Sequence, residues 1–182
     1  MEKILIIDDS KANRLVLSNV LSEKYSVETA ENGEDGINMA KSFIPDLILL
    51  DIVMPGIDGY LVCKELKNDD ELKKIPVIFL TSKDDTDDII KAYEIGGADY
   101  VLKPYNFLEL ELRIKTQVNL KKTYEKLNVC NEKKAELVSK MEEMIDNNSA
   151  EVAKLNSPEE KISSLTQFKE DMLSQIKSFI NE

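Results

Sequence analysis

A doubly wound α/β domain is the fold class that the first two thirds of this chain predict, on three observations. Short apolar, largely β-branched runs recur at 4–7, 27–30, 47–50, 77–80 and 100–102, and each is followed by apolar residues at helical spacing. All six glycines lie between Gly33 and Gly97 and four of the five prolines at or before Pro104, which concentrates turn chemistry in that part of the chain. Near-continuous apolar strands alternating with helices make a five-stranded parallel sheet, buried on both faces and joined by right-handed crossovers.

The elements follow in order. After the first strand, Ala12, Val16, Val20 and Leu21 share one helix face; after the weak second strand, Asn32-Gly33 makes a turn and Gly36, Ile37 and Ala40 form the next face. Leu61, Val62 and Leu66 follow the third strand. After the fourth, Asp84 to Asp88 place negative charge near a helix N-terminus, and Ile89, Ile90, Tyr93 and Ile95 follow. Gly96-Gly97 ends that helix in the left-handed region. A fifth helix opens at Asn106, with Glu109 three residues on as a capping box. The domain is expected to span 1–120, leaving 121–182 as a helical extension.

The composition removes several functions. The chain has 182 residues, 24 Lys and Arg against 35 Asp and Glu, no His and no Trp. Without histidine there is no Ser-His-Asp or Cys-His nucleophile system, no His-ligated zinc or haem, and no phosphohistidine on this chain. Residues 1–120 carry 14 basic and 23 acidic groups, and 121–182 carry 10 and 12, with no basic cluster to neutralise phosphates. Neither nucleic acid nor a membrane surface is expected as a partner. No apolar run is long enough for a signal sequence or a bilayer span, so a soluble, cytoplasmic protein is expected. Cys63 and Cys130 are isolated and are read as reduced thiols with no assigned chemistry.

In a doubly wound sheet, ligands sit beyond the carboxyl ends of the strands. Here those ends carry Asp8 and Asp9, Asp51, Thr81, and Lys103 with Pro104. Singly, each has an ordinary reading as a cap, a turn residue or a solvated side chain. Together, three carboxylates in one crevice repel unless a cation sits among them, and hard oxygen ligands suit magnesium. A carboxylate beside such a metal can attack phosphorus while the metal and a lysine offset phosphoryl charge, which forms an aspartyl phosphate.

The segments ILIIDDS at 4–10, LILLDIVMPGIDGY at 47–60, VIFLTSKDD at 77–85 and GADYVLKPYNF at 97–107 resemble the receiver domain of two-component response regulators, in family order and spacing. The resemblance implies a flavodoxin-like strand order 2-1-3-4-5, with Asp51 as phosphoacceptor. It implies that Asp8, Asp9, Asp51 and the Val53 carbonyl hold Mg2+, and that Lys103 pairs with the active-site carboxylate or phosphoryl group. Thr81 and Tyr100 match the switch pair that reads out phosphorylation, and Lys103-Pro104 matches a bond that is cis in the family. Val53 and Lys83 occupy the positions that tune autodephosphorylation; neither supplies an acid or amide to position water, so a persistent phosphoryl state is expected. The implied partners are a histidine kinase or phosphotransfer protein and an unidentified downstream protein. The chain is then a signalling phosphoacceptor rather than an enzyme. Two other classes compete with this reading: a magnesium-dependent phosphohydrolase of small phosphate esters, which the missing DxD nucleophile arrangement disfavours, and a phosphorylation-independent helical scaffold, which the intact acidic site disfavours.

From Asn106 to Asn148 there is neither Gly nor Pro, and Leu120, Tyr124, Leu127, Asn131, Lys134, Val138, Met141 and Ile145 follow an a/d heptad pattern. As one helix, 106–148 would span about 65 Å. Ser157-Pro158-Glu159-Glu160 signals a second helix start, with Ile162, Leu165, Phe168, Met172, Ile176 and Phe179 as its apolar stripe. That stripe covers its neighbour in a hairpin, a second subunit in a coiled-coil homodimer, or a target protein; the pattern does not choose among them. No recognition-helix pattern or nucleotide-using output signature is present.

Overall fold

The computed structural model describes residues 1–82 and 86–181. Asp84 and Asp85, part of the acidic run assigned to a helix N-terminus, lie outside the described residues, as does Lys83.

Strands β1 (Lys3–Ile7), β2 (Ser26–Ala30), β3 (Leu47–Asp51), β4 (Val77–Thr81) and β5 (Asp99–Leu102) alternate with helices α1 (Lys11–Leu21), α2 (Gly33–Phe43), α3 (Gly59–Asn68) and α4 (Thr86–Glu94); α5 (Phe107–Val152) and α6 (Pro158–Asn181) follow. The sheet is parallel throughout, in the order β2-β1-β3-β4-β5. This is the predicted flavodoxin-like topology.

Alternate residues of the central strands feed two cores, because successive side chains point to opposite faces. Leu5, Ile7, Ile48, Leu50, Val77 and Phe79 pack with Ala40, Val62, Cys63, Leu66 and Ala92 from α2, α3 and α4. Ile4, Ile6, Leu47, Leu49, Ile78 and Leu80 pack on the other face with Leu17 and Leu21 of α1 and Leu110, Ile114 and Val118 of α5. Burial on both faces is why these strands read as unbroken apolar runs.

The helix faces differ in places from the spacing-based reading. On α1 the buried residues are Leu17 and Leu21, while Val16 and Val20 stay exposed. On α4 Ala92 is buried, and Ile90 and Tyr93 are exposed. Asn32 is the N-cap of α2, its side-chain oxygen accepting from the Asp35 N–H at 2.9 Å, so Asn32-Gly33 starts a helix rather than standing as a separate turn. Gly96 has φ +94°, the left-handed position that ends α4. Asn106 caps α5, accepting from the Leu108 N–H at 2.8 Å.

The chain divides into two compact units, Met1–Thr123 and Tyr124–Glu182. The second holds the distal part of α5 and all of α6. Ser157 and Glu160 cap α6 reciprocally: the Glu160 N–H donates to Ser157 Oγ at 3.2 Å and the Ser157 N–H to Glu160 Oε2 at 3.4 Å. Lys133, Leu137 and Lys140 line one cleft with Gln175 and Phe179, and Met144, Asn148 and Glu151 line another with Ser164 and Phe168. Residues 133–140 of α5 thus meet the late part of α6 and residues 144–151 its early part, and the two segments form an antiparallel hairpin. No described helix is long and apolar enough to cross a membrane.

Candidate functional site

Strands β1, β3, β4 and β5 bring their carboxyl ends side by side, with Asp51 in register with Leu80 and Thr81 with Leu102. The last residues of β3 and β4 and the first residues after β1 and β5 therefore open onto a common crevice. Asp8 follows β1 and is fully buried; Asp9 beside it is exposed; Asp51 ends β3 and is 7 % exposed. One oxygen from each of these three carboxylates lies within 4.8 Å of the others.

Lys103, just past β5, reaches into this group. Its Nζ donates to Asp51 Oδ2 at 2.7 Å and to Asp8 Oδ2 at 2.9 Å, and its N–H donates to the Thr81 carbonyl at 2.7 Å. The Lys103–Pro104 peptide is cis. Thr81 is buried at the end of β4. Val53 is exposed beside the site, and its N–H donates to Asp51 Oδ1 at 3.3 Å. Tyr100 lies on β5, half-buried, with its ring edge-on to Tyr93 at 6.0 Å between centroids. Lys83, the second residue expected to tune autodephosphorylation, lies outside the described residues.

The crevice also contains residues that the strand-end argument passed over. Asn13 donates to both oxygens of Asp8, at 3.3 and 3.1 Å, and the Ser10 N–H donates to Asp8 Oδ1 at 2.8 Å. Arg14 donates to the carbonyls of Asp8 at 2.7 Å and Asp9 at 3.0 Å. These α1 residues hold the β1–α1 turn so that the buried Asp8 carboxylate has its acceptors filled. Their signal was available as polar residues in the first turn of a helix that begins at the site. Beyond β3, the Gly59 N–H donates to the Ile52 carbonyl at 2.9 Å. A Cβ at Gly59 would overlap the Asp51 carbonyl oxygen, so only glycine lets α3 start this close to the Asp51 backbone.

The electrostatics follow from the crowding. Burial pushes the Asp51 carboxyl above its ordinary range; the Lys103 bond opposes this, and the charge on Asp8 adds to it. Burial works against the Lys103 ammonium, but its bonds to Asp51 and Asp8 outweigh that effect and hold it more firmly charged than a free lysine. One internal cation thus serves two inward carboxylates, with the exposed Asp9 at the mouth. The set is all oxygen and all hard, which suits Mg2+ with retained water ligands rather than a soft metal.

The family description "Response regulator receiver domain" matches residues 4–115. The response regulator PleD of Caulobacter vibrioides is 38% identical over 126 residues, 69% of this chain and 28% of that protein. The transcriptional regulatory protein AfsQ1 of Streptomyces coelicolor is 40% identical over 116 residues, 63% of this chain and 50% of that protein. A crystal structure of a two-component response regulator from Clostridium difficile shares 34% identity and a TM-score of 0.62, covering 65% of this chain and 97% of that one. The chain spans half or less of the length of these curated relatives. It belongs to the response regulator receiver family. Domains of this family are signalling phosphoacceptors of two-component systems that bind Mg2+ at an acidic pocket and interact with histidine kinases or phosphotransfer proteins.

Proposed function

We propose that this receiver takes a phosphoryl group on Asp51 from the phosphohistidine of a separate kinase or phosphotransfer protein and passes the signal on through altered protein contacts. The observation that carries this is the Lys103 Nζ held between Asp51 at 2.7 Å and Asp8 at 2.9 Å in a pocket of three carboxylates. A carboxylate oxygen of Asp51 attacks phosphorus, the P–N bond breaks, and the donor imidazole leaves with a proton. These 182 residues contain no histidine, so the phosphohistidine donor lies outside them. Asp8, Asp9, Asp51 and the Val53 carbonyl would hold Mg2+, which supplies charge neutralisation at the phosphoryl oxygens. Lys103 contributes a second positive charge to those oxygens, and the hydrogen bonds of Asn13 and Arg14 keep the β1–α1 turn in place while the group arrives.

Thr81 and Tyr100 form the readout in this proposal: the Thr81 hydroxyl bonds the phosphoryl group and Tyr100 moves with it. The exposed Val53 offers no acid or amide to position an attacking water, which supports a persistent phosphoryl state. The acidic surface supports a protein rather than a nucleic acid as the downstream target.

The test is phosphate incorporation from a small acyl phosphate with magnesium. The wild type should take up one phosphoryl group, and Asp51→Asn should fall to background while still binding magnesium. Equal uptake by the variant would place the acceptor elsewhere.

A further inference from the structure

In the hairpin unit Leu137, Met144 and Asn148 of α5 share clefts with α6, and with Met141 and Val152 they are the half-buried residues of that stretch, which marks the row that faces α6. The matching row on α6 is Ser164, Phe168, Met172, Ile176 and Phe179. Each residue just before a contact position is polar: Glu136, Lys140, Glu143, Asn147 and Glu151 on α5, and Ser163, Gln167, Asp171, Gln175 and Ser178 on α6.

The residues just after the contact positions differ. They include Val138 and Ile145 on α5, and Leu165 and Leu173 on α6. One residue is a rotation of about 100° about a helix axis. Because the helices run antiparallel, the same rotation on both brings these side chains to the same side of the hairpin. Ile162 extends the row along α6, and Leu127 extends it along α5 beyond the polar Asn131 and Lys134. These six side chains are 45 to 65 % exposed. The hairpin therefore has a polar side and an apolar side, and α6 does not cover the apolar one.

We infer that the apolar side of the α5–α6 hairpin is a self-association surface, on which the hairpin of a second copy packs to close an antiparallel four-helix bundle. Charge and extent select a second copy as the occupant. Within the α5 stretch that α6 covers, the charged residue in the open row is Glu142, while α6 carries Lys169 and Lys177 there. A two-fold axis parallel to the helices sets α5 of one hairpin against α6 of the other, antiparallel, so Glu142 faces Lys169 and Lys177 of the second copy, and the reverse. The surface is complementary to itself. A specific interface takes about 800 Å² from each partner, and six large half-exposed side chains along more than three helical turns supply much of that. A patch of this size left in water is costly, and a second identical patch is always present at the same concentration. This inference does not rest on the phosphoacceptor reading.

The experiment is absolute mass by light scattering on the full chain at micromolar concentration, without phosphodonor. The wild type should be a dimer. Val138→Glu with Leu165→Glu should be a monomer, while Leu112→Glu, on exposed α5 surface in the receiver unit, should remain a dimer. Charge reversal guards against loss of fold in the double variant: Glu142→Lys should raise the dissociation constant about tenfold, and adding Lys169→Glu and Lys177→Glu should restore it. A monomeric wild type, a dimer that survives Val138→Glu with Leu165→Glu, a dimer lost with Leu112→Glu, or no recovery on charge reversal would each overturn the inference.

Discussion

The sheet unit and the hairpin unit solve the same problem with different completeness. In the sheet, Ile4 to Ile7, Leu47 to Leu50 and Val77 to Leu80 are wholly buried, because helices cover both faces. In the hairpin, none of the described residues from 124 onward reaches that state; the best covered are half-buried. Two helices have only one contact line between them, so each keeps a face that the other cannot reach. A parallel sheet with helices on both sides closes its core within one chain; a helix pair does not. The site inherits this contrast, since the three carboxylates and Lys103 are held by strand ends that cannot shift without disturbing the core.

The largest expected difference lies in truncation. Phe79→Ala should cost about 3–5 kcal/mol, since it empties a fully buried volume between β4 and the α3–α4 layer. Val129→Ala, on an exposed face of α5, should stay within about 0.5 kcal/mol. Chemical denaturation of both variants measures the pair; comparable losses would remove the distinction between the units.

Next in size is Lys103→Met. It leaves two inward carboxylates without their cation and should destabilise the receiver by about 2–3 kcal/mol, less than a fully buried pair because the site opens to solvent. Added magnesium should recover more of the lost Tm than it adds to the wild type. No magnesium-dependent recovery would mean that the carboxylates do not form a cation site.

Asp51→Asn should have a smaller effect of opposite sign and raise Tm in magnesium-free buffer. The native Asp51 carboxyl is held above its ordinary range, chiefly by burial. Its native state therefore binds the proton more readily than its unfolded state, and the group loses stability for the fold as pH rises through that window. The gain from Asp51→Asn should be present at neutral pH and vanish toward acid pH. A lower Tm at neutral pH would show that Asp51 holds the fold together rather than straining it.

The smallest expected effect is at alkaline pH. Burial, with the bond to Asp88, pushes the Tyr60 hydroxyl up to about 12, and burial pushes the Cys63 thiol up to about 11. Both keep their protons longer in the native state, so stability should fall as pH rises from about 9 toward 12. Tyr60→Phe should make that decline shallower above pH 10, measured by urea unfolding at stepped pH.

The strands and their acidic ends were legible because parallel strands buried on both faces leave apolar runs with abrupt polar stops, and such stops are few. What was harder to read has one cause in both units: adjacent apolar residues. Val16-Leu17 and Val20-Leu21 on α1 fit helical spacing in either register, and the structure buries Leu17 and Leu21. Leu137-Val138 and Met144-Ile145 on α5 pose the same choice, and the row that meets α6 is one residue off the heptad row. Of that predicted row Met141 is half-buried, while Leu127, Val138 and Ile145 stay exposed. Periodicity identifies a stripe but not which of two neighbouring stripes faces inward. Asn13 and Arg14 escaped for another reason, since a polar residue in a first helical turn is ordinary until the carboxylate it bonds is known.

The central claim is that the crevice delivers phosphoryl chemistry to Asp51 rather than to its neighbours. It is tested most directly by treating the protein with an acyl phosphate and magnesium, reducing with borohydride, and locating the product by peptide mass. An aspartyl phosphate is reduced to homoserine, so the account predicts homoserine at position 51 and only when magnesium is present. Homoserine at position 8 or 9, or the same yield without magnesium, would contradict it.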